Sequence, residues 1–149
     1  MKAAWVLVAL VGSGVLYACH AAPKEESAPR ATAQATAEKP LPELSVPAVA
    51  ELLKAKAGVV VDANDAQTRK EYGTVPGAVL LSDHRSFAFS ELPEDKAEKL
   101  VFYCGGVKCR ASDAAASRAA SAGYSNVSVM REGIRGWRNA GQATEQPSS

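Results

Sequence analysis

The stretch LVFYCGGVKCRASDAAASRAASAG, residues 100–123, contains the pattern that decides the fold. It begins with a continuous apolar run, which is typical of a strand buried on both faces of a sheet. Gly105 and Gly106 interrupt that run, and an alanine-rich segment then continues to Gly123, as expected for a helix with a glycine stop. The order of strand, glycine loop and helix predicts that Cys104 lies at the carboxyl end of a buried strand.

The flanking sequence repeats this alternation of short apolar runs and helical segments. Strands are predicted at residues 59–62, 78–81 and 126–130, helices at 45–56, 63–73 and 131–141, and a polar connection with one or two helical turns at 82–99. Such alternation is typical of a parallel sheet that is covered on both faces. We therefore predict an α/β fold with a mainly parallel central sheet of about four or five strands and helices on both faces.

Composition excludes several classes of protein. The chain has 149 residues, which suffices for one domain, and 17 basic against 16 acidic residues give a net charge of +1. A nucleic-acid binder needs a basic face, and a base-stacking surface needs more than 6% aromatic residues, so no nucleic-acid partner is expected. Three cysteines are too few for a disulfide scaffold.

The N-terminus has the pattern of an export signal. Lys2 precedes the apolar run AAWVLVALVGSGVLYAC, residues 3–19, which is too short to predict a transmembrane helix. The closing LYAC resembles the lipobox of bacterial lipoproteins, and this resemblance implies cleavage before Cys19 and attachment of a lipid to it. The alternative is an ordinary secretory signal cleaved nearby. Both interpretations predict an exported protein of the bacterial cell envelope, held on a membrane face or in the periplasm.

The chain is accordingly divided into four segments. Residues 1–18 are predicted to be a signal peptide, and residues 19–43, rich in Ala, Pro and Thr, the lipid anchor and a flexible tether. Residues 44–141 are the predicted folded domain. Residues 142–149 have the composition of a disordered tail.

The glycine loop has the composition of an anion cradle around a reactive thiol. Gly105 and Gly106 permit backbone amides to turn inward, and the start of the next helix adds further N–H donors. Lys108 and Arg110 add positive charge. Such surroundings are expected to lower the pKa of Cys104 and to activate it as a nucleophile. The alternative is an inert cysteine buried at a strand end.

Three segments in the right order resemble the single-domain rhodaneses, a family of sulfurtransferases. They are VVVDANDAQTRKEYGTVPGAVLL (59–81), VFYCGGVKCRAS (101–112) and GYSNVSVMREGIRGW (123–137). The resemblance implies a rhodanese-like domain and a Cys104 persulfide cradled by the amides of Gly105, Gly106, Val107, Lys108, Cys109 and Arg110. It also implies an anionic sulfur donor such as thiosulfate and an acceptor that is cyanide, a thiol or a protein. No cofactor is expected.

Other functions remain open at this stage. Arg110 follows Cys104 by six positions, and this Cys-X5-Arg spacing resembles that of rhodanese-fold phosphatases and arsenate reductases, whose loop fits a tetrahedral oxyanion. Asn64 and Thr74 depart from the family's usual Arg and His. A third hypothesis is a non-catalytic redox or binding module with a Cys104–Cys109 disulfide. Cys109 could be a resolving thiol, a second sulfur acceptor or a residue without function.

The remaining polar residues are expected to have structural roles. Asp62 ends a strand and is expected to cap the next helix, with orientation of the loop or substrate as the alternative. The two cysteines of the loop supply only two of the four N/S ligands that a metal site normally needs, and the two histidines are scattered along the sequence, so no metal is expected. Solvated positions are predicted for His20, His84 and Arg69, helix-start roles for Ser112 and Asp113, and a core position for Trp137.

Overall fold

A computed structural model of the protein describes residues 40–147. The predicted signal peptide, Cys19 and nearly all of the predicted tether lie outside the described residues. Within 40–147, no helix is long and apolar enough to cross a membrane.

The described chain contains four α-helices and four strands. In order they are α1 Val46–Lys54, β1 Val59–Asp62, α2 Ala66–Tyr72, β2 Val79–Leu80, β3 Leu100–Tyr103, α3 Ala111–Ser121, β4 Val127–Met130 and α4 Gly133–Asn139, with a short 3₁₀ helix at Phe89–Glu91. The strands form one parallel sheet in the order β2-β1-β3-β4. This confirms the predicted α/β fold, with four strands in the sheet.

Apolar side chains from alternate positions of each strand form two cores, one on each face of the sheet. Phe102 packs with α3 in one core, while Val101 and Tyr103 pack with α1 and α4 in the other. Every residue of β3 and β4 is buried, because both faces are covered. The continuous apolar runs of the sequence therefore reflect burial on two sides, as predicted.

Two helix boundaries differ from the sequence prediction: the end of α1 and the residue that caps the start of α2. Helix α1 ends at Lys54, two residues before the predicted Lys56, which adopts a positive φ of 52°. The N-cap of α2 is Asp65, whose carboxylate accepts a hydrogen bond of 2.7 Å from the Thr68 amide. The prediction that Asp62 caps this helix is therefore wrong, because Asp65 is closer to the first turn.

Asp62 instead lies at the centre of a buried polar network beneath the carboxyl edge of the sheet. It is fully buried and pairs in register with Tyr103 of the neighbouring strand. The Tyr103 hydroxyl donates to Asp62 Oδ2 at 2.5 Å and accepts from the Val75 amide at 3.0 Å. Burial raises the pKa of Tyr103 above its usual value, so the phenol stays protonated and can donate.

Two further residues complete this network. The backbone amide of Asn64 donates to Asp62 Oδ1 at 2.7 Å, and Arg69 Nε lies 3.4 Å from the same oxygen. The Arg69 guanidinium also donates to the backbone oxygens of Asp62 and Leu81. Its side chain is only 12% exposed, so the predicted solvated position of Arg69 is wrong. A buried carboxylate needs a cationic partner, and Arg69 supplies it from one turn into α2.

We expect the network to contribute substantially to stability. Tyr103→Phe leaves Asp62 Oδ2 and the Val75 amide without their shared partner and should lower the free energy of unfolding by about 2–3 kcal/mol. Tyr124→Phe is the matched control, because that hydroxyl makes one partly buried hydrogen bond, to the Pro93 oxygen at 2.9 Å, and should cost about 1 kcal/mol. Urea unfolding followed by circular dichroism measures both values. Equal losses would contradict a network role for Tyr103.

Candidate active site

Cys104 follows the last residue of β3 and points its thiol toward the start of α3. Its Sγ atom lies 3.3 Å from the Ser112 hydroxyl oxygen, and the residue is only 2% exposed. Ser112 is itself buried. The structure thus has the predicted strand-end position for Cys104, but with the sulfur enclosed beneath its loop.

The loop between Cys104 and α3 folds back on itself. The Cys109 amide donates to the Gly106 oxygen at 2.8 Å, which closes a turn around Val107 and Lys108. This turn directs the chain back toward Cys104, and the Cys109 thiol is close enough to influence the pKa of the Cys104 thiol. In the described part of the chain both cysteines are free thiols. One amide predicted to face an anion, that of Cys109, is therefore used inside the turn.

The first turn of α4 holds the loop from the other side. The Ile134 amide donates to the Cys104 oxygen at 2.8 Å, and the Arg135 amide to the Gly105 oxygen at 3.4 Å. Gly133, which precedes them, has a φ of 62° and packs directly against the loop backbone. The unpaired amides at the start of α4 thus satisfy the carbonyl groups of the cysteine loop.

Cys104 has a raised pKa, which contradicts the expected lowered one. Burial is the main cause, because an enclosed thiolate loses its solvation, and the hydrogen bond with the Cys109 thiol raises the pKa further. The Ser112 hydrogen bonds act in the opposite direction. The two cations that were expected to lower the pKa of Cys104, Lys108 and Arg110, are both exposed to solvent and are not among the causes of its shift. The resting form of Cys104 is therefore the neutral thiol.

The raised pKa of Cys104 predicts how the rate of sulfur transfer should depend on pH. Only the thiolate attacks sulfur, so the initial rate of sulfite release from thiosulfate should still rise with pH at about 8.5, the ordinary thiol pKa. Cys109→Ala removes one cause of the raised pKa and should move the profile to lower pH. Stopped-time sulfite assays across a pH series measure both profiles. A wild-type plateau already reached near neutral pH would contradict a raised pKa.

An open cleft of about 900 Å³ lies over the loop. Its floor is the loop segment 105–109, and its walls come from three other segments. The wall residues include Ala63, Asn64, Asp65, Thr68, Asp83, His84, Glu132, Arg135, Gly136 and Asn139. Cys109 lines the cleft, whereas Cys104 lies beneath the floor. The cleft brings the loop together with residues far away in sequence.

The cations that face the cleft differ from those predicted. Lys108 lines it as expected, but the Arg110 guanidinium turns away and donates to Asp113 at 3.1 Å, with 77% of its side chain exposed. Arg135 lines the cleft instead. Its guanidinium donates to the Tyr72 hydroxyl at 3.1 Å and stacks over the Tyr72 ring. The predicted Arg110 clamp is therefore not formed in this conformation.

Three site residues were assigned other roles by the sequence analysis or were missed. His84, predicted to be solvated, is half-buried in the cleft wall. Ser112, predicted to serve the helix start, contacts the Cys104 sulfur. Arg135 was missed. The position of Ser112 in the first turn of α3 was a usable signal, since helical side chains point back toward the preceding loop.

Asp62 and Asn64 support the cleft wall opposite the loop. Asp62 is part of the buried network and does not line the cleft. Asn64, at the position of the family's usual Arg, is 8% exposed, and its side-chain oxygen lies near Gly105. Asp62 accepts a hydrogen bond from the backbone amide of Asn64 and so fixes the backbone of the cleft wall opposite the loop. Trp137 is a core residue, as predicted.

Comparison with protein families places the chain among known domains. The family model of the rhodanese-like domain matches residues 45–140. No curated protein shows significant similarity to the chain.

Several solved structures share the fold. The rhodanese-like domain of an Anabaena protein has a TM-score of 0.59 at 23% identity, with 71% of this chain and 80% of that chain covered. A thiosulfate sulfurtransferase from Pseudomonas aeruginosa has a TM-score of 0.60 at 24% identity, covering 73% and 21%. A Rhodopseudomonas palustris protein of unknown function, described as a possible tyrosine phosphatase, has a TM-score of 0.59 at 24% identity, covering 70% and 85%. At these identities the likeness shows the fold.

Proposed function

Because the chain belongs to the rhodanese-like domain family, we propose that it is a sulfurtransferase in which Cys104 carries sulfane sulfur. The Cys104 thiolate attacks the outer sulfur of an anionic donor such as thiosulfate. A bond forms between Cys104 Sγ and that sulfur, the donor's S–S bond breaks, and sulfite leaves with the electron pair. The resulting persulfide passes its outer sulfur to cyanide, a thiol or a protein acceptor.

The observation that carries this proposal is the position of Cys104 beneath the loop that floors the cleft. Its sulfur contacts Ser112, and its backbone oxygen is fixed by the Ile134 amide. A thiol at a strand end, held by a glycine loop under an open cleft, is suited to nucleophilic attack on a bound anion. Lys108 and Arg135 supply positive charge at the cleft surface.

Proton transfer follows from the raised pKa of Cys104. Attack requires the thiolate, which burial disfavours, so the Cys104 thiol must lose its proton to solvent before it can react. The Ser112 hydroxyl can donate to the thiolate once it forms, since it lies 3.3 Å from Sγ. We expect the donor's approach to displace the turn at Val107, which is 68% exposed.

The direct test is a search for sulfur on Cys104. The reduced full-length chain is treated with thiosulfate without oxygen, alkylated and digested with trypsin. Cleavage after Lys99 and Lys108 isolates residues 100–108, which contain Cys104 alone. We expect this peptide to gain sulfur in samples alkylated at early times, and the solution to gain sulfite. Absence of both products would contradict the proposed function.

A second candidate is a phosphatase or arsenate reductase, favoured by the Cys-X5-Arg spacing. That chemistry needs Arg110 to clamp a tetrahedral oxyanion, whereas its guanidinium is paired with Asp113. The sulfurtransferase proposal is therefore preferred. Phosphoester, arsenate and thiosulfate assays on one preparation distinguish the candidates, and turnover of a phosphoester or arsenate alone would reverse the order.

Arg135 should contribute to binding of the anionic donor. Arg135→Ala removes an exposed charge from the cleft and should raise KM for thiosulfate about fivefold, with little change in kcat. Arg138→Ala is the matched control, because Arg138 also stacks over Tyr72 but does not line the cleft. Steady-state kinetics measure both variants. Equal increases of KM in Arg135→Ala and Arg138→Ala would contradict a direct role of Arg135, because the charge would then act only at long range or through Tyr72.

We also propose that the protein is exported and anchored to a membrane face by a lipid on Cys19. The support is the apolar run of residues 3–19 and its closing LYAC sequence. Cys19→Ser should release the protein from the membrane fraction of expressing bacteria. Unchanged membrane association would contradict the lipid anchor.

A further inference from the structure

The two thiols of the loop face different environments. Cys104 is 2% exposed and lies beneath the floor of the cleft, whereas Cys109 is half-buried and lines the cleft. With the loop in this conformation, a persulfide on Cys104 is therefore poorly accessible to an acceptor in the cleft. The Cys109 sulfur is the thiol that both the cleft and Cys104 can reach.

The loop geometry keeps these thiols together. The hydrogen bond from the Cys109 amide to the Gly106 oxygen reverses the chain between them. Cys104 is held at its carbonyl by Ile134, and Cys109 immediately precedes the Arg110 N-cap of α3. Both ends of the turn are thus fixed to regular structure, and the Cys109 thiol is close enough to that of Cys104 to raise its pKa.

We propose that Cys109 is a resolving thiol that releases the transferred sulfur as hydrosulfide. This inference rests on the proposed function, because it requires a persulfide on Cys104. The Cys109 thiolate attacks Cys104 Sγ, a Cys104–Cys109 disulfide forms, the persulfide S–S bond breaks, and hydrosulfide leaves with the electron pair. The acceptor of sulfane sulfur is then inside the protein, and the product is sulfide.

The step balances without an external oxidant. The sulfane sulfur gains two electrons on becoming sulfide, and the two cysteine sulfurs lose them on forming the disulfide. The Cys109 proton goes to solvent or to the leaving hydrosulfide. A further turnover requires a dithiol reductant, which reduces the disulfide by thiol–disulfide exchange through the sulfur of Cys109 exposed in the cleft.

Trypsin separates the two cysteines and makes the test direct. Cleavage after Lys108 and Arg110 places Cys104 in residues 100–108 and Cys109 in the dipeptide 109–110. The reduced full-length chain is treated with thiosulfate without oxygen or added thiol, sampled over time, alkylated and digested. Sulfide, sulfite and the peptides are quantified, and a sample without thiosulfate is the control for adventitious oxidation.

In wild type we expect sulfite, then sulfide, and a disulfide joining residues 100–108 to 109–110. In Cys109→Ser we expect sulfite and a persulfide that persists on residues 100–108, with sulfide release at least about tenfold slower. Cys109→Ala is a second variant, and the linked peptide in wild type tests the step even if both variants are unstable.

The outcomes separate the two proposals. A stable wild-type persulfide on Cys104 without the linked peptide would overturn the resolving role and leave the proposed function standing. Sulfur on the 109–110 peptide would instead make Cys109 a relay and overturn resolution. Linked peptide formed equally without thiosulfate would attribute the disulfide to oxidation, again overturning it. Absence of both sulfite and any sulfur adduct would contradict the proposed function itself.

Discussion

Replacing Cys104 with serine should abolish sulfur uptake and lower turnover with thiosulfate by at least about a thousandfold. A hydroxyl is far less nucleophilic than a thiolate and cannot form a persulfide. The fold should tolerate the change, because a serine oxygen at this buried position can still hydrogen-bond with Ser112. Sulfite release and peptide mapping after thiosulfate treatment are the measurements.

The control for this prediction is Cys109→Ser. It keeps Cys104, so it should release sulfite and load sulfur on residues 100–108. A Cys104→Ser variant that retained full activity with thiosulfate would remove the basis of the proposed function. Near-ultraviolet circular dichroism of both variants checks that each has kept its packed core.

Replacing Gly133 with alanine should destabilise the domain by about 3 kcal/mol and prevent sulfur uptake at Cys104. Gly133 has a φ of 62°, which disfavours any residue with a Cβ. A Cβ there would overlap the Cys104 oxygen and lie only 2.6 Å from the Gly106 nitrogen. The variant must therefore shift the loop or the start of α4, and either movement breaks the Ile134 hydrogen bond.

Gly141→Ala separates backbone strain from this close approach. Gly141 has a φ of 71°, but a Cβ there has no neighbour within 4 Å in the described part of the chain. It should cost only about 1 kcal/mol and leave sulfur uptake intact. Urea unfolding and peptide mapping compare the two variants. Similar losses in both would mean that the loop does not depend on its contact with Gly133.

The parts of the fold that follow from burial could be predicted from the sequence. The runs 59–61 and 100–103 are apolar because both faces of the sheet are covered, and a mainly parallel sheet follows from the alternation with helices. The same reasoning placed Cys104 at a strand end. Asp62 and Tyr103 offered a further signal, since two polar groups end neighbouring buried strands in register.

The electrostatics of the site could not be predicted in this way. The pKa of Cys104 depends on whether the loop covers the sulfur, and composition alone suggested only the nearby charges. The orientation of Arg110 depends on Asp113, which competes for its guanidinium. His84 and Arg135 reach the cleft through tertiary packing, which no local spacing encodes. The assignment of residues 104–110 to the site remains a prediction that the peptide experiments test.

The hydrogen bonds between α4 and the cysteine loop also affect the order in which the site can be assembled. Cys104 is synthesised before Gly133 and Ile134, so its carbonyl has only water as a partner until α4 has left the ribosome. A growing chain can pair β1 with β3, but it cannot yet hold the loop in its final shape. A chain that terminates before α4 should therefore contain an exposed Cys104 without a fixed position, because the residues of α4 that hold the loop are missing.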